Sequence, residues 1–393
     1  MRFTLTFALA CTLVAGCAQP TALDVDDGSG DGALTNPDSS NTSTSNGDLG
    51  SGDETLVEST RSGPDTATTG VRSARRVPAE WEPQAAVWLQ WPQQWEVHFE
   101  PAFAEIIRAA AAHQPVHVIA HDMSTMKRGA GVLAAAAVPT QSVTWHLVPN
   151  DNAWMRDNGP RYVEVDNSLV IQDWGFDAWG GNFGPGIPFA SDDEVPSAVA
   201  DIVGLPLEVV DMIHERGDLE FNGTDTVIVN WSVVNDRNPD MSRAEATQVF
   251  VEAFGVVSVV YLEGYHPEDG TTGHVDGIAR FISETQVVVG QLEDPALDPI
   301  SAELFDDAAE QIAEQRPDLE VLRMPFPAGT DYMNWLVGND YVISGGFDDA
   351  EADAAARARI ESYFPSRTVY IVDVTALWAD GGGVHCVTND QPL

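Results

Sequence analysis

From about residue 76 onward, two hydrophobic rhythms follow one another along the chain. Amphipathic or Ala-rich stretches with helical spacing lie near 103–112, 196–204, 242–255, 300–316 and 348–364. Each is followed by a β-branched run: Val116 to Ala120, Leu207 to Val210, Val256 to Leu262, Leu319 to Met324 and Thr368 to Val374. A polar or Gly-rich segment comes next, usually leading into a second strand pattern such as Ala279 to Gln291. This order predicts an α/β fold. Unusual polar residues stand just after the strands, at Asp157, Glu215, His274, Asn334 and Cys386, with spacings of 58, 59, 60 and 52. A module of roughly 50–60 residues therefore recurs five times, as units stacked or set round an axis. An ordinary α/β chain with ligand-binding loops at its strand ends is the simpler alternative.

The first 75 residues follow neither rhythm. Arg2 precedes an apolar run from Phe3 to Val14, then Ala15-Gly16-Cys17. A basic start, a short apolar stretch and small residues read as an export signal over residues 1–17. The Ala-Gly-Cys junction resembles a bacterial lipobox, which makes Cys17 the expected lipidation site and a lipid anchor the expected membrane tether. Residues 18–75 are rich in Ser, Thr, Gly and Asp and nearly free of aromatics, so they cannot bury enough surface to offset ordering entropy. As a flexible linker they would span on the order of 40 Å. The expected organisation is signal 1–17, linker 18–75 and catalytic domain 76–393. The localisation expected is the cell envelope, by export and lipid anchoring.

Charge narrows the partners. The chain has 393 residues, with Asp+Glu 61 against Lys+Arg 19 and a formal net charge of -42; Lys127 is the only lysine. Such acidity opposes nucleic-acid backbones and anionic membrane surfaces and suits a small cationic substrate. It equally suits solubility or a saline habitat. Of the cysteines, Cys11 leaves with the signal and Cys17 is used at its junction, so Cys386 stays as a lone thiol in an oxidising compartment. It is either inert and buried or functional.

Local motifs favour function. Trp154-Met155-Arg156-Asp157-Asn158-Gly159-Pro160 is followed by Trp174-Gly175-Phe176-Asp177-Ala178-Trp179-Gly180-Gly181. Then come Thr271-Thr272-Gly273-His274-Val275-Asp276-Gly277 and Gly381-Gly382-Gly383-Val384-His385-Cys386-Val387-Thr388. In an extended segment His274 and Asp276 would point the same way, and His385 would point away from Cys386. That geometry argues against His385 as the base. A metal pair at His274 and Asp276 lacks a nearby third ligand. A papain-like reading of Cys386 lacks the diagnostic flanking motif.

These motifs, with the opening Val77-Pro78-Ala79-Glu80-Trp81-Glu82-Pro83-Gln84, resemble the agmatine deiminase and bacterial peptidylarginine deiminase family of guanidine-modifying enzymes. The resemblance runs from about residue 77 onward. It implies a single catalytic domain with a pentein-like, five-bladed pseudo-fivefold α/β propeller, in keeping with the module spacing. It implies Cys386 as nucleophile, His274 as general acid/base and Glu215 as the carboxylate orienting that histidine. Asp157 and Asp276 then match the guanidinium-binding carboxylates and Asn334 a polar site position. Trp91 and Trp179, with Trp154 and Trp174, are further candidates to line a pocket for an aliphatic chain, although core packing competes for most of them. No metal or cofactor is implied, and an oligomer is compatible.

The residue types suit the chemistry. Two carboxylates can each take a pair of guanidinium N–H groups, fixing its plane and holding its charge. A thiolate attacks the central carbon, ammonia leaves, and water releases the product. Two departures from the family pattern stand out: Arg216 where Glu-Gly-Gly is usual, and Asn182 where a Lys usually follows Trp-Gly-Gly. The resulting expectation is a hydrolase acting on C–N bonds in linear amidines, converting agmatine to N-carbamoylputrescine and ammonia. Deimination of arginine in peptides is the runner-up. A catalytically inactive lipoprotein binding cationic ligands is the reading from another class, and the lone thiol speaks against it.

Overall fold

The computed structural model describes residues 74–393. The expected signal over 1–17 and the linker up to residue 73 lie outside the described residues. Five small sheets carry the chain. In the second, Arg161–Val165 runs antiparallel to Ser168–Gly175, which runs parallel to Leu207–Ile213; Arg75–Arg76 adds an edge pair. The third joins Glu220–Phe221, Thr226–Asn230 and Ser258–Leu262 in the same antiparallel-then-parallel order. So does the fourth, with Ala279–Ser283, Gln286–Leu292 and Glu320–Phe326. The fifth repeats it with Leu336–Gly338, Tyr341–Gly346 and Thr368–Asp373.

The first sheet obtains its antiparallel strand from the far end of the chain. Gln84–Gln90, Val116–Ala120 and Val143–Leu147 are parallel, and Thr388–Pro392 pairs antiparallel with Gln84–Gln90, Asn389 opposite Trp88. The last strand thus completes the first unit. Parallel neighbours need crossovers, and these are helical. They are Glu100–Ala111, Met123–Ala135, Val195–Val203, the pair Trp231–Arg237 and Arg243–Phe254, Pro299–Gln315 and Ala350–Tyr363.

Sequence explains these helices locally. Asp298 caps Pro299–Gln315 by accepting from Ser301 N, with Pro299 in the first turn where its missing N–H costs nothing. Ser242 and Glu245 form a capping box on Arg243–Phe254, which ends in left-handed Gly255. Their apolar faces pack on the sheets, as Phe103, Ile106 and Ile107 do with Leu89, Val116 and Val118. Each such side chain contributes roughly 1.5–3 kcal/mol.

Two features differ from the sequence reading. The pattern Ala279 to Gln291 is a hairpin of two strands rather than one. Met123–Ala135 is a helix the periodicity did not announce, because its Gly129 has no side chain to register. Trp91 and Trp145 fill the space a Cβ there would need, at 2.5–2.8 Å.

The repeat has one consequence for chemistry. Asp157, Glu215, His274, Asn334 and Cys386 each lie within a few residues of the start of an antiparallel pair, before Arg161, Glu220, Ala279, Leu336 and Thr388. All five occupy one topological position in successive units.

Candidate active site

Close backbone approach assembles the site. Asp157 sits in the short helix Met155–Asn158, which is tied to the nucleophile turn because Arg156 N donates to Cys386 O at 3.0 Å. The Arg156 side chain reinforces this, donating from Nε to His385 O (3.2 Å) and from Nη1 to Asp390 Oδ1 (2.9 Å). Gly217 lies against the centre: a Cβ there would stand 2.5 Å from His274 Nδ1 and 2.7 Å from Asp157 Oδ1. Only glycine leaves that room. Gly382 and Gly383 are equally constrained, by the Trp154 ring and the Asn334 side chain.

Around this frame the polar groups converge. Cys386 Sγ accepts from Asn334 Nδ2 at 3.2 Å and lies 3.8 Å from Asp276 Oδ2. His274 stands between two carboxylates, Nδ1 3.5 Å from Asp157 Oδ1 and Nε2 3.6 Å from Glu215 Oε2. Glu215 is held on its other oxygen by Arg237 Nε at 2.8 Å. Trp179 Nε1 donates to Asp157 Oδ2 at 2.9 Å. Aiming that indole takes backbone strain, since Ala178 and Trp179 both have left-handed φ (59° and 56°), a cost of about 1–3 kcal/mol each.

Asp157 Oδ1, Glu215 Oε2 and His274 Nε2 are buried and have no hydrogen-bond partner among the described residues. Buried polar atoms are normally satisfied; Glu215 Oε2 and His274 Nε2 face each other at 3.6 Å, which leaves Asp157 Oδ1 as the atom a polar ligand would pair.

Electrostatics assign protonation states. Burial opposes charge on His274, yet Asp157, Glu215 and Asp276 overcome it and raise its pKa to about 10, leaving an imidazolium at neutral pH. Burial lifts Asp157 to about 6, helped by Asp276 and Glu215 and opposed by His274. Burial also acts on Glu215, but Arg237 and His274 prevail and bring it to about 2. The Cys386 thiol is pushed well above its ordinary value by burial, then by Asp276 and Asp157, against hydrogen bonds from Gly383 and Asn334. A cation seated between Asp157 and Asp276 would cancel part of that repulsion and favour the thiolate.

The sequence-derived candidates fall into two groups. Cys386, His274, Glu215, Asp157, Asp276, Asn334 and Trp179 are brought together. Trp91 is not: it is fully buried in the core against Phe103 and Trp145, with Nε1 donating to Glu100 Oε1. Trp174 is likewise core, stacked on Phe250 and Phe254. Trp154 does border the site, over Gly382. Cys17 lies outside the described residues.

Local geometry corrects two expectations and places Arg216. His274 and Asp276 face the centre from a 3₁₀ turn over Val275–Gly277, not from a strand. Val384–Val387 is a turn too, so strand parity does not separate His385 from Cys386, and both side chains reach Asp276. Arg216 does not face the site. Its guanidinium turns to Asn389 Oδ1 (2.5 Å) and Asp390 Oδ1 (2.7 Å).

Arg237, Gly217 and Glu80 belong to the site's support and were missed. Gly217 had a sequence signal as the glycine following Glu215-Arg216, and Glu80 had one as part of the opening motif Val77 to Gln84; Arg237 had none. Among the described residues no group of three or more His, Cys, Asp and Glu side chains is arranged to hold a metal ion, and no helix is long and apolar enough to cross a membrane.

A buried thiol, an imidazolium and paired carboxylates on five-unit α/β loops define a deiminase-like site, and residues 76–392 match the family described as Porphyromonas-type peptidyl-arginine deiminase. The chain belongs to that family. It is 30% identical over 361 residues to the agmatine deiminase of Pseudomonas aeruginosa (strain LESB58), covering 81% of this chain and 95% of that protein. With the agmatine deiminase of Ectopseudomonas mendocina it shares 30% identity over 373 residues, 83% of this chain and 98% of the relative. The solved agmatine deiminase of Enterococcus faecalis superposes with a TM-score of 0.74 at 26% identity, over 81% of this chain and 96% of that one.

Proposed function

We propose that this chain is a hydrolytic guanidine deiminase whose substrate is agmatine, released as N-carbamoylputrescine and ammonia. One observation carries the reading: the Cys386 thiol, the His274 imidazolium and the Asp157 and Asp276 carboxylates share one buried centre, the complement of a planar cation with an electrophilic carbon. Asp157 and Asp276 hold the guanidinium. Cys386 gives up its thiol proton to solvent as the cation binds, its Sγ bonds to the guanidinium carbon, the C–N bond breaks, and His274 gives the departing nitrogen its proton, so ammonia leaves. The imidazole then takes a proton from water, whose oxygen displaces the sulfur and leaves the ureido product. Glu215, fixed by Arg237, holds the imidazole.

Agmatine is preferred to arginine because the nearby cation Arg216 is spent on Asn389 and Asp390, which leaves a substrate carboxylate unpartnered among acids. The curated relatives named above are agmatine deiminases, which supports the same choice. Ammonia release compared across agmatine, free arginine and an arginyl peptide tests it. Agmatine should lead the peptide in kcat/KM by at least about a hundredfold, roughly 2.7 kcal/mol. A peptide preference would transfer the assignment to peptidylarginine.

We also propose that the enzyme is exported and anchored by lipid at Cys17, on the strength of the Ala15-Gly16-Cys17 junction and the polar linker after it. Cys17→Ser should move the protein from the detergent phase to the aqueous phase in a Triton X-114 partition. An unchanged partition would exclude the anchor.

A further inference from the structure

The opening motif around Glu80 and the residue before the nucleophile, His385, have no part in the chemistry so far. They meet at the back of Asp276. His385 Nδ1 lies 2.7 Å from Asp276 Oδ2 and its Nε2 lies 2.8 Å from Glu80 Oε2. Glu80 is itself anchored: Oε1 accepts from Val337 N at 2.6 Å, and Oε2 accepts from Arg280 Nη2 at 2.9 Å. His385, Asp276 and Arg280 are buried, His385 to 1% exposure, and Glu80 is partly buried.

A proton count follows. Each ring nitrogen faces a carboxylate oxygen at hydrogen-bond distance, and each such contact needs one proton. A neutral imidazole carries one. Both contacts of the row Glu80–His385–Asp276 are therefore hydrogen bonds at once only when it holds a second proton, and its net charge is then −1. The charged groups facing His385 are Glu80 from the opening segment, Asp276 from the 275–277 turn, Arg280 from Ala279–Ser283 and Arg156 from Met155–Asn158. Burial and the two arginines push the imidazole pKa down, while Asp276 pulls it up.

The position of the row gives it a purpose. The Asp276 oxygen that His385 binds is the same Oδ2 that stands 3.8 Å from Cys386 Sγ. A bare carboxylate there would oppose the thiolate. We propose that Glu80 and His385 are positioning residues of the deimination reaction: they supply Asp276 with a proton on its Oδ2 side, which fixes the carboxylate for the substrate's guanidinium and lowers the cost of the neighbouring thiolate. The reaction itself rests on the proposed function; the thiolate part does not.

The test therefore has two arms, applied to wild type, His385→Gln and Glu80→Gln, with thermal melting as the check on folding. The first arm needs no substrate. The rate of Cys386 alkylation by iodoacetamide is followed against pH, and in His385→Gln its midpoint should rise by about one unit or more. Glu80→Gln keeps the imidazole but replaces its charged far partner by a neutral amide, so it should shift the midpoint the same way by less, and it reads the relay should His385→Gln fail to fold. In the second arm, wild-type turnover of agmatine is measured first, and its absence would count against the proposed function alone. Given turnover, kcat/KM should fall at least about tenfold in His385→Gln, with KM rising as well as kcat falling. Alkylation profiles that superpose on wild type in folded variants would overturn the proposal, whatever happens to turnover.

Discussion

Asn334 grips the nucleophile from both sides: its Nδ2 donates to Cys386 Sγ at 3.2 Å while its Oδ1 accepts from His385 N at 2.9 Å. The donor favours thiolate, one of the few influences that offset burial and the two aspartates. Asn334→Asp keeps the shape and replaces that donor by an acceptor. Alkylation of Cys386 at pH 7.5 should slow at least about tenfold, and the melting temperature should fall because the new carboxylate is buried beside Asp276 and Asp157. An unchanged rate would remove Asn334 from the site.

Gly217 is the glycine that lies directly against both His274 and Asp157. In Gly217→Ala the new methyl meets His274 Nδ1 and Asp157 Oδ1 below contact distance, so both groups must move. The overpacking should cost about 1–3 kcal/mol of stability. Turnover should fall much further than stability does, by at least about a hundredfold, because misplacement of about 1 Å is enough for that. Denaturant unfolding beside steady-state kinetics separates the two effects.

Arg237 keeps Glu215 ionised. Without it, a buried carboxylate loses its cation, a loss of about 3–5 kcal/mol when the partner stays charged. In Arg237→Gln the melting temperature should drop, and the pKa of Glu215 should rise from about 2. Glu215→Gln on top of Arg237→Gln should recover part of the lost stability. Simple additivity of the two losses would show that the pair is not coupled.

Much of this arrangement could be read in the sequence. The even spacing from Asp157 to Asn334 works because each unit spends a similar length on hairpin, crossover helix and parallel strand. Asn334 had no motif of its own, yet its place in the repeat put it beside the thiol. What escaped reading depended on three-dimensional detail. Glu80 and His385 are 305 residues apart and meet because the strand after Cys386 pairs with the strand after Glu80. Parity arguments failed at His385 because a turn, not a strand, precedes Thr388. Trp91 and Trp179 look alike in composition, and only packing sends the first to the core and aims the second at Asp157. Arg237, at the end of a helix, carries no periodic signal.

Beside the deprotonation of Cys386, two groups shape the pH dependence. Asp157 must be ionised to hold a cation, and its pKa is raised to about 6, so kcat/KM should fall as pH drops through 6, approaching tenfold per unit below it. His274 keeps its proton up to about pH 10, so the alkaline decline from losing the acid belongs there and not near 7. Asp157→Asn should lower kcat/KM by about 2–5 kcal/mol, the range for truncating one partner of a buried charge pair. A profile flat down to pH 4.5 in the wild type would contradict the role given to Asp157.

The thiol step is open to direct observation. Wild-type enzyme mixed with excess agmatine, quenched in acid within the first turnovers and digested, should yield the peptide containing Cys386 carrying the substrate's amidino carbon on sulfur, and the same peptide from Cys386→Ala should be unmodified. Full ammonia release by Cys386→Ala, or turnover by the wild type with the adduct on another residue, would contradict a mechanism built on this cysteine.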